Sequence, residues 1–204
     1  MAFIETVPPA EAEGEVQAMY ARSEAHYGYV PNYTKVFCHR PEILALWSRL
    51  LSEIQQPMGK RRFELVTFAA ANALESSYCS LAHGQALTEF FSSGDIRAIA
   101  ANSLPEPLSE AEQAMTALSR KVALGASTVE AGDVEILKEH GLTDAEIFDI
   151  VAASAGRAFL SKLVEGLGAD ADAAFLDIES SLRESLTVGR SIDSAAPEQL
   201  PVKP

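Results

Sequence analysis

Apolar residues spaced three and four apart run through nearly the whole of this 204-residue chain, and that spacing is helical. After Pro41, the series Ile43, Leu44, Leu46, Trp47, Leu50, Leu51 and Ile54 draws an apolar stripe along one side of a helix. Pro41 suits a first turn, where a missing N–H removes no bond, and Pro57 with Gly59 ends the segment. Three later helix starts read as capping boxes: Ser109 with Glu112, Ser127 with Glu130, and Thr143 with Glu146. Breakers stand between them at Gly28 to Pro31, Asn102 to Pro107, Gly125, Gly141 and Gly168. No stretch alternates with β-branched enrichment, so no strand is expected. The spacing predicts helices near 10–26, 41–55, 60–74, 77–92, 109–123, 128–140, 144–166 and 170–186. The expected fold is all-α, a single-domain helical bundle over residues 1–188 with an N-terminal arm. Residues 189–204, with Pro197, Pro201 and Pro204, have little to bury and are expected to form a flexible tail.

Charge and cysteine usage narrow the function classes. Sixteen Lys and Arg against 29 Asp and Glu give a net charge of −13, which repels phosphate backbones, so no nucleic-acid partner is expected. The N-terminus lacks a positive region followed by an apolar stretch, and Leu65 to Leu74 is too short to span a bilayer. A cytoplasmic protein without a membrane partner is expected. Two cysteines, Cys38 and Cys79, make no disulfide framework and suit a reducing compartment. No glycine-rich phosphate loop or dinucleotide fingerprint occurs, so no cofactor is expected.

One segment carries chemistry: Glu75-Ser76-Ser77-Tyr78-Cys79-Ser80-Leu81-Ala82-His83. A helix beginning near Ser77 would have Ser76 or Ser77 as its cap and Cys79 in its first turn. Unpaired N–H groups and the positive end of the helix dipole favour a thiolate there. His83 follows four residues on, one turn along the same face, where an imidazole can exchange a proton with sulfur. Taken alone this is weak, because buried cysteine as apolar filler is the commoner occurrence, and Cys38 reads that way too. Glu64, after Lys60, Arg61 and Arg62, reads either as an exposed residue or as a carboxylate on a helix buried on most sides. The apolar run Leu65 to Ala71 favours the second reading, in which Glu64 needs a partner. Ala82 and Gly84 are small and would leave room at the thiol.

The wider spacing resembles a known family. Alkylhydroperoxidase D proteins carry a glutamate, eleven intervening residues, a Cys-x-x-Cys pair, three residues and a histidine. Glu64, Cys79 and His83 occupy three of those four positions, and Tyr78 before the cysteine also fits. Gly28-Tyr29-Val30-Pro31-Asn32, Arg40-Pro41-Glu42 and Gly141-Leu142-Thr143-Asp144-Ala145-Glu146-Ile147 extend the match from about Pro8 to Asp172. The chain thus resembles the carboxymuconolactone decarboxylase and alkylhydroperoxidase D superfamily. The resemblance implies an all-α bundle of the alkylhydroperoxidase D type and a homo-oligomer, trimeric or hexameric. It also implies a peroxidase site in which Cys79 attacks a small hydroperoxide while His83 and Glu64 relay the proton.

The chain departs from that pattern at Ser76, which stands where the family has its first cysteine. Serine forms no disulfide, so an oxidised Cys79 needs a thiol reductant from outside or risks further oxidation. Cys38 could replace the missing cysteine only if its Cα came within about 7 Å. The leading expectation is a monothiol, peroxidase-like antioxidant oxidoreductase with Ser76 as cap or hydrogen-bond donor. The alternative is a non-redox lyase or isomerase of the same superfamily. In that reading His83 and Glu64 do acid–base work on a small organic substrate, with Arg61, Arg62 or Arg157 as candidates to bind its carboxylate. A metal site formed by Cys79, His83 and Glu64 ranks last, because three ligands without a second Cys or His pair make a poor structural zinc site.

Overall fold

A computed structural model describes residues 2–103, 107–195 and 197–200. These residues fold into ten α-helices: α1 (Gly14–Tyr27), α2 (Asn32–Val36), α3 (Pro41–Met58), α4 (Lys60–Ala73), α5 (Ser77–Leu87), α6 (Ser93–Ala100), α7 (Glu110–Gly125), α8 (Ala131–Glu139), α9 (Asp144–Gly166) and α10 (Ser180–Leu186). No strand occurs among the described residues, and one isolated parallel bridge joins Ala171 to Ile192.

α4 is the axis of the bundle. Every residue from Phe63 to Asn72 is buried, and α4 packs against α5, α7 and α9. Its alanines at 69–71 let those neighbours approach closely. Leu65, Phe68 and Ala71 face a core shared with α1, α5, α6 and α10; Phe63 and Val66 face a second core shared with α3, α7, α8 and α9. Fully burying a Leu or Phe side chain contributes roughly 1.5–3 kcal/mol. A polar thread crosses the second core: Ser119 donates to the Val66 carbonyl at 2.7 Å, and Ser154 of α9 lies 2.9 Å from Ser119.

Several boundaries differ from the sequence expectation. The helix expected over 77–92 stops at Leu87, and Ser92 starts a new one, α6, through an unforeseen capping box with Asp95. The boxes at Ser109 and Thr143 form as expected. The box expected at Ser127 does not, because Ala126–Thr128 is a 3-10 turn; Asp133 instead accepts from the Glu130 N–H at 2.9 Å. α2 was also unforeseen, and the stretch expected as one helix over 170–186 is a 3-10 turn, Ala173–Asp177, followed by α10.

Of the segment expected as a tail, residues 189–195 and 197–200 are described and bond back onto the bundle, while 196 and 201–204 lie outside the described residues. The Gly189 N–H donates to Ser77 Oγ at 2.8 Å, Arg190 pairs with Asp170 at 2.7 Å, and the Asp193 N–H donates to the Ala171 carbonyl at 2.7 Å. Farther on, the Leu200 N–H donates to Glu24 Oε1 at 2.7 Å. No described helix is long and apolar enough to cross a membrane.

Candidate active site

Glu75 makes the turn that aims the reactive segment. Its φ of 53° is left-handed, which costs a non-glycine residue roughly 1–2 kcal/mol, and it ends α4 so that α5 folds back against it. Ser76 is the N-cap of α5 and Cys79 lies in the first helical turn, 2% exposed. His83 follows one turn later on the same face.

The turn brings His83 onto Glu64. His83 Nδ1 donates to Glu64 Oε2 at 2.6 Å, with both side chains buried. Thr67, one turn along α4, donates its hydroxyl proton to the Phe63 carbonyl at 2.7 Å. Its oxygen is thereby left as a second acceptor 3.2 Å from the same ring nitrogen. With two acceptors facing Nδ1, the neutral ring carries its proton there, and Nε2 is a bare lone pair. Burial, with the charge of Arg157 beside it, holds His83 below its ordinary value of 6.5, against the pull of Glu64. Burial would push the Glu64 carboxyl up, but the His83 hydrogen bond and the nearby cations Arg157 and Lys60 hold it below 4.5. The pair is therefore an ionised carboxylate and a neutral imidazole near neutrality.

Arg157, from α9, completes the cluster. It is 7% exposed, and its Nη1 donates to Cys79 Sγ at 3.9 Å. Its guanidinium lies over the Trp47 ring, 5.1 Å from the centroid, and Trp47 is itself held by an Nε1–H bond to the Gly156 carbonyl at 2.8 Å. Sequence reasoning named Arg157 only as one of three arginines, since nothing in its spacing tied it to Cys79 seventy-eight residues away. The other two are committed elsewhere: Arg61 grips Glu112 at 2.6 and 3.1 Å, and Arg62 pairs with Glu146 at 2.9 Å.

Ser76 occupies the cap position of α5, but its side chain makes no cap bond and its hydroxyl is buried. That hydroxyl faces Glu165; burial pushes the carboxyl up, and the Ser76 hydroxyl only partly offsets this. The room expected at Gly84 is taken. A Cβ there would lie 2.4 Å from a Leu186 methyl, so α10 packs directly onto α5. Gly189 lies so close to the Glu75 carbonyl that a Cβ would stand 2.0 Å from its oxygen. Cys38 and Cys79 are both buried free thiols, and Cys38 sits against Tyr20. Beside Cys79, the Tyr78 hydroxyl donates to Asp172, which also accepts from the Asn32 N–H at 2.8 Å and from Tyr29 at 3.2 Å. Among the described residues no three His, Cys, Asp or Glu side chains converge as metal ligands would.

No family model and no curated protein matches the chain. Solved structures do. An alkylhydroperoxidase AhpD core, an uncharacterized peroxidase-related protein from Ralstonia eutropha JMP134, superposes with a TM-score of 0.75 at 22% identity, over 85% of this chain and 94% of its own. This chain has the AhpD-core fold. An uncharacterized peroxidase-related protein from Silicibacter sp. TM1040 shares it with a TM-score of 0.68 at 20% identity, over 86% of this chain and 98% of its own. So does the debrominase Bmp8, solved as a cysteine-to-alanine variant in complex with 2,3,4-tribromopyrrole. Its TM-score is 0.70 at 13% identity, over 90% of this chain and 97% of its own. On the AhpD-core fold, the all-α expectation holds, with α4, α5 and α9 carrying the candidate site.

Proposed function

We propose that this chain is a peroxidase-like oxidoreductase that reduces small hydroperoxides through the single thiol of Cys79. One observation carries the reading. A buried imidazole, fixed as a base by Glu64 and Thr67, stands one helical turn from a buried cysteine that also receives a hydrogen bond from a guanidinium. His83 takes the thiol proton, and the thiolate attacks the distal peroxide oxygen. The O–O bond breaks, and the alkoxide leaves with the proton returned by His83, so that Cys79 becomes a sulfenic acid. A first external thiol condenses with the sulfenic acid and releases water. A second displaces the resulting mixed disulfide, so one hydroperoxide and two thiols yield an alcohol, a disulfide and water.

The non-redox alternative uses the same His83 and Glu64 as acid and base on a small organic substrate, with Cys79 secondary. It draws support from the Arg157 cation next to the pair. Brief exposure to hydrogen peroxide with dimedone, followed by mass spectrometry, separates the two. A dimedone adduct on Cys79 and loss of peroxide turnover in Cys79→Ala are expected. Full turnover of any substrate by Cys79→Ala would move the function to the acid–base alternative.

A further inference from the structure

We propose that Arg157 is an anion subsite and that the hydroperoxide taken by this centre carries a carboxylate on a small apolar or aromatic body. The inference deepens the reading of Cys79, His83 and Glu64 as the reactive centre by naming what that centre holds.

Arg157 is a buried cation without a matching anion in contact. Arg61, Arg62 and Arg190 each meet a carboxylate at 2.6–2.9 Å, and all three are more exposed. Among the described residues Arg157 has no ion-pair partner, and its Nε–H is buried without an acceptor. Glu64 is near enough to feel its charge, but the Glu64 carboxylate is spent on His83. Distant charge balance lowers the cost of burying a guanidinium, yet it does nothing for an N–H left unmet. The Nη1 bond to sulfur leaves the edge formed by Nε and Nη2 without a protein partner. A carboxylate matches that edge, since its two oxygens accept two parallel N–H groups.

The surroundings specify the rest of the molecule. Trp47 stacks against the guanidinium and also walls a groove of about 520 Å³ between α3 and α9. The groove continues over Ile43, Ile54, Ala152 and Gly156, none of them charged. The Trp47 Nε1–H is already given to the Gly156 carbonyl, so the ring offers the groove only its apolar surface. An anion at Arg157 with an apolar body along Trp47 would satisfy both features and lie beside the Cys79 sulfur.

Trp47 is the only tryptophan in the chain, so it reports on its own site. The experiment titrates full-length Cys79→Ser protein with benzoate, and with benzamide as the uncharged isostere, reading tryptophan fluorescence. Benzoate is expected to saturate with a Kd at least tenfold below that of benzamide. In Arg157→Gln of unchanged helicity, benzoate is expected to bind no better than benzamide. Three results would overturn the proposal: equal affinities for the two probes, no saturable response to benzoate, or undiminished benzoate binding in folded Arg157→Gln. If light scattering shows the chain associating while benzoate has no effect, the groove belongs to a second copy and the proposal fails. The comparison of probes needs no arginine variant, so a misfolded Arg157→Gln leaves the test intact. Because Cys79→Ser has no peroxide chemistry, anion binding stands or falls separately from the dimedone result.

Discussion

His83 gives its Nδ1 proton to Glu64 at 2.6 Å while Arg157 raises the cost of placing a second proton on the same ring. One partner fixes where the ring's proton sits, and the other keeps the opposite nitrogen bare. Both effects are electrostatic and therefore visible in pH dependence.

Turnover should persist below pH 6.5, because burial and the Arg157 charge hold His83 under that value. The acid limb of the rate of Cys79 oxidation, followed by stopped-flow fluorescence, should lie lower still. Arg157→Gln should move the limb upward, toward 6.5. An acid limb already at or above 6.5 in the unaltered protein would contradict this.

Stability should follow the same group. Between its lowered folded value and 6.5, His83 binds fewer protons in the folded state than in the unfolded state. Its contribution is therefore full above 6.5 and is lost as pH falls through the folded value. The Glu64 contribution, also from a lowered value, is lost in turn below about 4.5. Urea midpoints across pH 4 to 8 should fall on the acid side, and His83→Gln should flatten the upper part of that decline.

His83→Ala should slow sulfenic acid formation by a factor on the order of 10², the lower range for a positioned acid–base group. Glu64→Gln should cost less, since a glutamine oxygen still accepts from Nδ1 but without charge. Single-turnover peroxide consumption checks the order, and an Glu64→Gln protein slower than His83→Ala would reverse the assigned roles.

Ser76→Cys should restore an internal partner for oxidised Cys79. The serine hydroxyl makes no cap bond, so exchanging it for a thiol removes no cap from α5. An adjacent thiol acts at effective molarities on the order of 10⁵ M when well oriented. After peroxide, mass spectrometry should show the loss of two hydrogens, and turnover with a dithiol should rise. Two alkylatable thiols remaining after oxidation would count against the expected geometry.

Gly189→Ala should release the C-terminal segment. The clash is with the Glu75 backbone oxygen, so no rotamer change relieves it. Hydrogen exchange over residues 189–195 should quicken while exchange in α4 stays slow, and Cys79 should be alkylated faster. Unchanged exchange there would show that the segment adapts in place.

Much of the fold was legible because α3, α4 and α9 carry long apolar patterns that a 3.6-residue period exposes. The short elements α2 and α6 were missed, since five or eight residues hold too little pattern, although Ser92 and Asp95 marked the start of α6. Glu64 and His83 could be paired because the apolar run after Glu64 demanded a partner for a buried carboxylate. Arg157 could not, because its link to Cys79 exists only when α9 packs beside α5. The hold on residues 189–195 and 197–200 was equally hidden: it runs largely through backbone N–H groups, which every sequence possesses.

The clamp on Tyr78 also bears on the order of events during synthesis. Asp172 gathers Tyr29, Asn32 and Tyr78, and Gly189 then closes on Ser77. Chain elongation delivers Glu64, Cys79 and His83 long before it delivers Arg157, Asp172 or Gly189. A nascent chain paused in α8 would thus hold its thiol without the guanidinium, the tyrosine anchor or the cover of α10. Reactivity at Cys79 in such a chain would be that of an ordinary accessible cysteine, and the finished centre would appear only as the final helices leave the ribosome.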